Sequence, residues 1–182
     1  MLPRYDILLK NATVVDPVNN RNTVMDVAVA NGKIADIAPD MDFERAAEWE
    51  DLSGFYLIPG IIDLHVHASS WLGGRYGHKM MALAGVTTAL DMSGPVDSVS
   101  DIAREYGAGL NLACLQYVRP GYTVKTTNPD RSEIENLLHE SLASGAIGLK
   151  ILGGHYPLTA EATAEIIETA HPGRPHSFSA YQ

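Results

Sequence analysis

The stretch Pro59-Gly60-Ile61-Ile62-Asp63-Leu64-His65-Val66-His67 decides how the rest of the chain is read. It opens with a turn-forming Pro-Gly pair and runs on as an apolar segment broken at every second position by Asp63, His65 and His67. A period of two is the rhythm of a strand, in which alternate side chains share one face. The two imidazoles are therefore expected to aim at one spot at the end of a buried strand. Burying unpartnered imidazoles costs about 1–3 kcal/mol each, and a divalent metal is the simplest compensation. On spacing alone, metal ligation and a structural role are both open.

Upstream of this stretch the chain reads as short strands. Ile7 to Val15 and Val24 to Ala30 are apolar and β-branched, and Asn31-Gly32 before Lys33 to Ile37 is the signature of a type I′ hairpin turn. Residues 39–50 are charged and read as loop, and Trp49 to Leu52 and Phe55 to Ile58 read as a further strand pair around Ser53-Gly54.

Downstream, strands and helices alternate. Strands are expected over Ile61 to Val66, Val86 to Met92, Leu110 to Val118 and Ala146 to Leu152. Helices are expected over His78 to Ala84, Val99 to Tyr106, Ser132 to Ser144 and Thr159 to His171, the first three closed by Gly85, Gly107 and Gly145. The third carries Ile134, Leu137, Leu138 and Leu142 on one face. Four successive strand–helix units imply parallel pairing with right-handed crossovers. No Gly-x-Gly-x-x-Gly follows a strand, so a dinucleotide-binding fold has little support. The last twelve residues, His171 to Gln182, show no alternation and no continuous apolar run, and do not deliver the fifth strand that is due there.

Composition narrows the partners. The chain has 182 residues, 46% hydrophobic and 19% charged, which is enough for a globular core. A net charge of −9 argues against nucleic acid or an anionic membrane surface as partner, and the scattered acids read as a solvated surface. Cys114 is the only cysteine, so no intrachain disulfide forms. No apolar run approaches the roughly 18 residues of a membrane span, and no leader-like h-region is seen, so a cytoplasmic location is expected.

Outside the histidine pair, Lys150 stands in Ala146-Ile-Gly-Leu-Lys-Ile-Leu152, a strand expected to be buried. A buried amine tends to lose its charge or gain a function. A neutral amine can take up carbon dioxide, giving a carbamate whose anionic oxygens can bridge two metals. A lysine at the strand end, reaching water or an acid, is the plainer reading of the residue by itself. Asp63 shares the parity of the histidines and reads as a hydrogen-bonding residue. Asp91 ends the second strand, where touching substrate and capping a loop are alternatives. His155, in the loop after the Lys150 strand, is a candidate to contact substrate or to orient a ligand. His78, His139 and His171 fall on helices and are expected to face solvent, and Cys114 reads as a small core residue.

Together, Asp6-Ile-Leu-Leu-Lys-Asn-Ala-Thr-Val-Val-Asp16, Gly32-Lys-Ile34, Pro59 to His67, Gly85-Val-Thr-Thr88 and Gly148-Leu-Lys-Ile151 resemble the amidohydrolase superfamily, in its dihydroorotase, hydantoinase and deacylase branch. The resemblance runs from about residue 6 to residue 171. It implies an α/β fold: part of a small β-sandwich over residues 1–57, then the first four units of a metal-dependent (β/α)8 barrel over residues 58–182. It further implies one or two divalent ions, most simply zinc, held by His65, His67 and a carbamylated Lys150. A metal-bound hydroxide would attack a non-peptide C–N bond in a cyclic amide, imide or N-acyl amide, so the partner is a small-molecule substrate. Two positions depart from the dihydroorotase pattern: Ser69 stands where that pattern has arginine, and Asp91-Met-Ser-Gly94 replaces its Asp-Met-Pro-Asn. Both weaken dihydroorotate as substrate. The family's later ligands and its general-base aspartate have no matching position, so the chain alone is expected to be inactive. Unpaired strand edges are expected to favour a homo-oligomer or a complementing C-terminal half. The alternative is a non-catalytic amidohydrolase-like scaffold or regulatory subunit.

Overall fold

The computed structural model describes residues 4–92 and 94–170 and the backbone of Phe178–Tyr181. His171 and His176 lie outside the described residues. Contacts divide the chain into two compact units, Met1–Pro59 and Gly60–Gln182.

The first unit is a five-stranded mixed sheet built on β1 (Tyr5–Asp16), β2 (Arg21–Ala30), β3 (Lys33–Ala38), β4 (Ala46–Asp51) and β5 (Tyr56–Leu57). β2 pairs antiparallel with both β1 and β3, while β4 and β5 run parallel to β1. Asn31 and Gly32 both take positive φ, 53° and 70°, as a type I′ turn requires. Tyr5, Leu8, Ala28 and Met41 form one buried cluster, and Ala12, Val14 and Val27 another.

Two expectations change here. The charged stretch is not all loop: Phe43–Arg45 make a 3-10 turn, and β4 follows as an exposed strand whose Glu48 and Glu50 pair with Ile7 and Leu9 of β1. Charged side chains suit an exposed edge strand, which hides it from alternation rules. Nor are all acids at the surface, because Asp26 is buried beneath a bulge in β1. Its carboxylate accepts from the backbone N–H of Asn11 (2.7 Å) and Met41 (2.8 Å) and pairs with Lys10 Nζ (2.7 Å). Burial alone would raise its pKa, but these donors outweigh burial and hold it below the usual carboxylate value.

The second unit contains β6 (Ile61–Val66), α1 (Gly74–Leu83), β7 (Val86–Asp91), α2 (Val96–Tyr106), β8 (Asn111–Cys114), β9 (Gln116–Val118), α3 (Arg131–Ala143), β10 (Gly148–Ile151), α4 (Ala160–Thr169) and β11 (Phe178–Tyr181). Its strands form two three-stranded parallel sheets, β6-β7-β8 and β9-β10-β11. The expected third strand is thus split at Leu115, whose N–H turns to the carbonyl of Asp91, while Ile147 N–H bonds Cys114 O. One strand thereby serves both sheets, and spatial order follows chain order. A doubly wound sheet would reverse that order. Against expectation, a strand does occur in the last twelve residues, because the open edge of β10 accepts β11 in parallel register. Four residues are too few for a period to show.

Side chains of Asp130 and Thr159 cap α3 and α4, accepting from Glu133 N (2.9 Å) and Ala162 N (3.1 Å). Ile134 and Leu138 of α3 and Ile166 of α4 pack with Val118, Leu149 and Ile151 in the largest core cluster. The helix before them breaks the pattern. α1 starts at Gly74, four residues earlier than expected, and buries Gly74 and His78 while Tyr76, Met80 and Leu83 are exposed. His78, expected to face solvent, is 1% exposed, with neither ring nitrogen hydrogen-bonded among the described residues.

Pro59-Gly60 leads into β6 at a tight crossing. A Cβ on Gly60 would lie 2.0 Å from Thr87 Oγ1 and 2.8 Å from Thr87 Cβ, closer than side-chain atoms pack. Gly60→Ala is therefore expected to destabilise the protein by about 1–3 kcal/mol. Urea unfolding should show a lower midpoint at an unchanged slope. An unchanged midpoint would mean that the approach of Thr87 is not maintained in solution.

Candidate functional site

The strands of the second unit run parallel within each sheet, so their C-terminal ends share one rim in each. His65 lies in β6 and His67 directly follows its last residue. Their Nε2 atoms are 3.3 Å apart, with ring centroids 5.3 Å apart, so the two imidazoles do converge. Asp63 Oδ1 accepts the backbone N–H of His65 at 3.0 Å and fixes the turn of the strand there. The strand itself is not buried as expected. β6 is the edge of its sheet, and Ile62, Leu64, His65 and His67 are exposed.

The geometry fits a metal. Two nitrogens each about 2.05 Å from one tetrahedral ion stand about 3.3 Å apart, which is the separation found here. Among the described residues, no three His, Cys, Asp or Glu side chains gather into a metal-holding group. Among the described residues, a third protein ligand beside the two histidines would be of a different residue type.

Lys150 is the candidate. Every residue of β10 is buried, and Lys150 is 0% exposed, with no hydrogen-bond partner for Nζ among the described residues. Burial lowers its pKa, and the charge of Asp91 offsets this only in part. Lys150 also acts on His67. Burial lowers the pKa of that imidazole first, then the positive charges of Lys150 and His65 lower it further, against a raising effect of Asp91. The lowered pKa favours the neutral imidazole that ligates metals.

Asp91 ties the site together. It is fully buried at the end of β7, where Oδ2 accepts from Ala68 N (2.5 Å) and Oδ1 from Gly94 N (2.9 Å). These bonds anchor the loops that follow β6 and β7, as loop capping would. Cys114 lies beneath it with Sγ 3.8 Å from Oδ1, and burial, then the Asp91 charge, pushes the thiol pKa up to about 12. It is a core thiol, not a thiolate.

A cavity of about 340 Å³ opens over this rim. Its walls include His67, Ser69, Trp71, Tyr117, Arg119 and His155. The structure thus brings His155 into one cavity with His67, whereas His139 sits exposed on α3. Sequence reasoning missed Arg119 and the tyrosines around it. The only available signal was position, since Arg119 directly follows the third predicted strand and precedes Pro120-Gly121.

No protein-family model matches the chain. Among curated proteins it is similar to D-aminoacylase of Alcaligenes xylosoxydans xylosoxydans, 28% identical over 208 residues that cover 94% of this chain and 43% of the relative. It is also similar to allantoinase of Escherichia coli (strain SMS-3-5 / SECEC), 39% identical over 93 residues, or 48% of this chain and 20% of the relative. The chain therefore spans less than half the length of these relatives. Among solved structures, N-acyl-D-glutamate deacylase from Bordetella bronchiseptica, complexed with zinc and a phosphonate inhibitor, matches with a TM-score of 0.73 at 17% identity, over 98% of this chain and 45% of that one. L-hydantoinase from Arthrobacter aurescens matches with a TM-score of 0.64 at 22% identity, over 98% of this chain and 40% of that one. D-aminoacylase structures also match, one in complex with copper chloride and one concerned with a binuclear metal centre. These relatives and neighbours are amidohydrolase-superfamily members acting on amide C–N bonds, and the region matched is their N-terminal part. The fold of the chain is the α/β arrangement of that part.

The buried amine generates a prediction. Methionine has nearly the volume of lysine without its charge, so Lys150→Met is expected to stabilise the metal-free protein by about 1–3 kcal/mol at pH 7. A lysine pKa lowered on folding makes the native state gain stability as pH rises towards the ordinary value of 10.5. The advantage of Lys150→Met should therefore shrink over that alkaline range in thermal melts. A variant less stable than the parent at pH 7 would contradict this account of Lys150.

Proposed function

We propose that this chain carries the metal-holding wall of an amidohydrolase that hydrolyses a non-peptide C–N bond in a cyclic amide, imide or N-acyl amide. The observation that carries the reading is the convergence of His65 and His67 Nε2 at 3.3 Å, next to a fully buried amine whose charge acts on His67. On this reading residues 1–57 belong to a β-sandwich and residues 58–182 form the first β/α units of a (β/α)8 barrel. The sequential parallel strand order supports the second assignment.

His65 and His67 would hold a divalent ion, with zinc the natural choice for imidazole donors. Lys150, whose pKa is lowered by burial, would through its neutral form add carbon dioxide at Nζ and release one proton, and the carbamate would offer anionic oxygens to bound metal. A bound ion of this kind supplies Lewis acidity and brings the pKa of water close to neutrality. The chain's own residues do the rest. Asp63 and Asp91 hold the backbone that aims the histidines, through His65 N–H and Ala68 N–H. The cavity walls, apolar at Trp71, Leu72, Met92 and Leu152, keep water from the acyl group. His155 stands in the same wall, where its ring can hydrogen-bond a substrate carbonyl.

No carboxylate lines this cavity among the described residues, and both oxygens of Asp91 are engaged by backbone N–H groups. Among the described residues, no carboxylate is placed in this cavity to act as general base for proton transfer to the leaving nitrogen. The 182-residue chain alone is expected to show no turnover of hydantoins, dihydropyrimidines or N-acyl amino acids, and measurable turnover would overturn that expectation.

Metal uptake tests the reading. Equilibrium dialysis followed by elemental analysis should show zinc bound by the parent protein and at least about a hundredfold weaker binding after His65→Ala combined with His67→Ala. Failure of the parent to bind zinc, cobalt or manganese, or unchanged binding by the double variant, would sink the proposal.

A further inference from the structure

Arg119 is the one basic guanidinium in the wall of the cavity that His67 opens onto. It is half-buried, and its Cζ lies 4.4 Å from the ring centroid of Tyr156 and 5.5 Å from that of Tyr122. The Tyr122 ring in turn packs 6.0 Å from that of Tyr117, whose hydroxyl is hydrogen-bonded by the Arg119 side chain. Two tyrosine rings, from the loops after β9 and β10, thus lie against one cation, and Tyr117 of β9 packs behind them. Among the described residues, no carboxylate lies within ion-pair distance of it.

Stacking explains the position of Arg119 but not its chemistry. A guanidinium carries five N–H donors in its plane, and the hydrogen bond to Tyr117 leaves others for a ligand. A fixed, half-buried guanidinium without an acid partner matches a planar anion able to accept two parallel hydrogen bonds. Neutral cyclic ureides carry no such group. An N-acyl amino acid does, because its free carboxylate stands a short, fixed distance from the amide carbon.

We propose that Arg119 is a specificity-determining residue that binds the carboxylate of the substrate, so that the site takes N-acyl amino acids in preference to neutral cyclic ureides. The tyrosine cage pre-sets the guanidinium, so little ordering is lost on binding. The apolar neighbours Trp71, Leu72 and Leu152 suit an apolar amino-acid side chain. The inference rests on the amidohydrolase reading for the bond that is cleaved, but the recognition of the anion is separable from it.

The test is titration calorimetry on the purified chain with N-acetylleucine, each enantiomer separately, and with its uncharged carboxamide. The parent protein is expected to bind the carboxylate of at least one enantiomer tenfold or more tightly than the carboxamide. Arg119→Met should abolish that preference while leaving zinc uptake unchanged, and Arg119→Lys should keep part of it. Equal affinity for the two ligands in the parent, absence of N-acetylleucine binding, or a preference that survives Arg119→Met would overturn the proposal. Zinc uptake without a carboxylate preference would defeat this inference alone. A preference for the carboxylate without zinc uptake would defeat the metal reading and leave Arg119 in its role.

Discussion

A primary amine with no exposed surface sets the terms for this site. Lys150 stands in the middle of β10, paired in register with Tyr117 of β9 on one side and Ala180 of β11 on the other. A lysine at a strand end can reach water along its stem, but this one cannot. Keeping an ammonium there with no hydrogen-bond partner among the described residues costs several kcal/mol, which favours the neutral amine. A buried amine whose charge acts on one of two converging imidazoles is poorly explained by stability. It is well explained as the precursor of an anionic ligand, and the proposed metal site follows from that constraint.

The scaffold serves the same end. Parallel strands in chain order bring the C-terminal ends of β6, β7, β9 and β10 around one cavity, so residues far apart in sequence share it. Asp91 does the fastening. By accepting from Ala68 N and Gly94 N its carboxylate anchors two loops. Its negative charge also lies between the needs of its neighbours, raising the pKa of both Lys150 and His67 against the effect of burial.

Much of this was legible in the sequence, and the failures have physical causes. Period two in Pro59 to His67 placed the imidazoles on one face, and the apolar neighbours of Lys150 marked a buried strand, although a lysine reaching water was the plainer reading of the residue by itself. Glycines after the first three helices marked the strand–helix alternation. The exposure of β6 was not legible, because alternation says which side chains share a face and not whether anything covers it. The burial of His78 was hidden because α1 opens on Gly73-Gly74 without a capping side chain and turns its apolar residues outward. The break at Leu115 depends on which carbonyl its N–H meets, a tertiary matter. The Arg119 cage was out of reach for a similar reason, since Tyr156 arrives from the loop after β10.

The central claim is that His65, His67 and Lys150 form one metal centre. Anomalous diffraction at the zinc edge, from crystals of this protein grown with zinc and bicarbonate, tests it most directly. The account predicts a peak about 2.0–2.1 Å from both histidine Nε2 atoms, with density for a carbamate extending from Lys150 Nζ towards it. A peak elsewhere on the protein, or none between the two imidazoles, would contradict it.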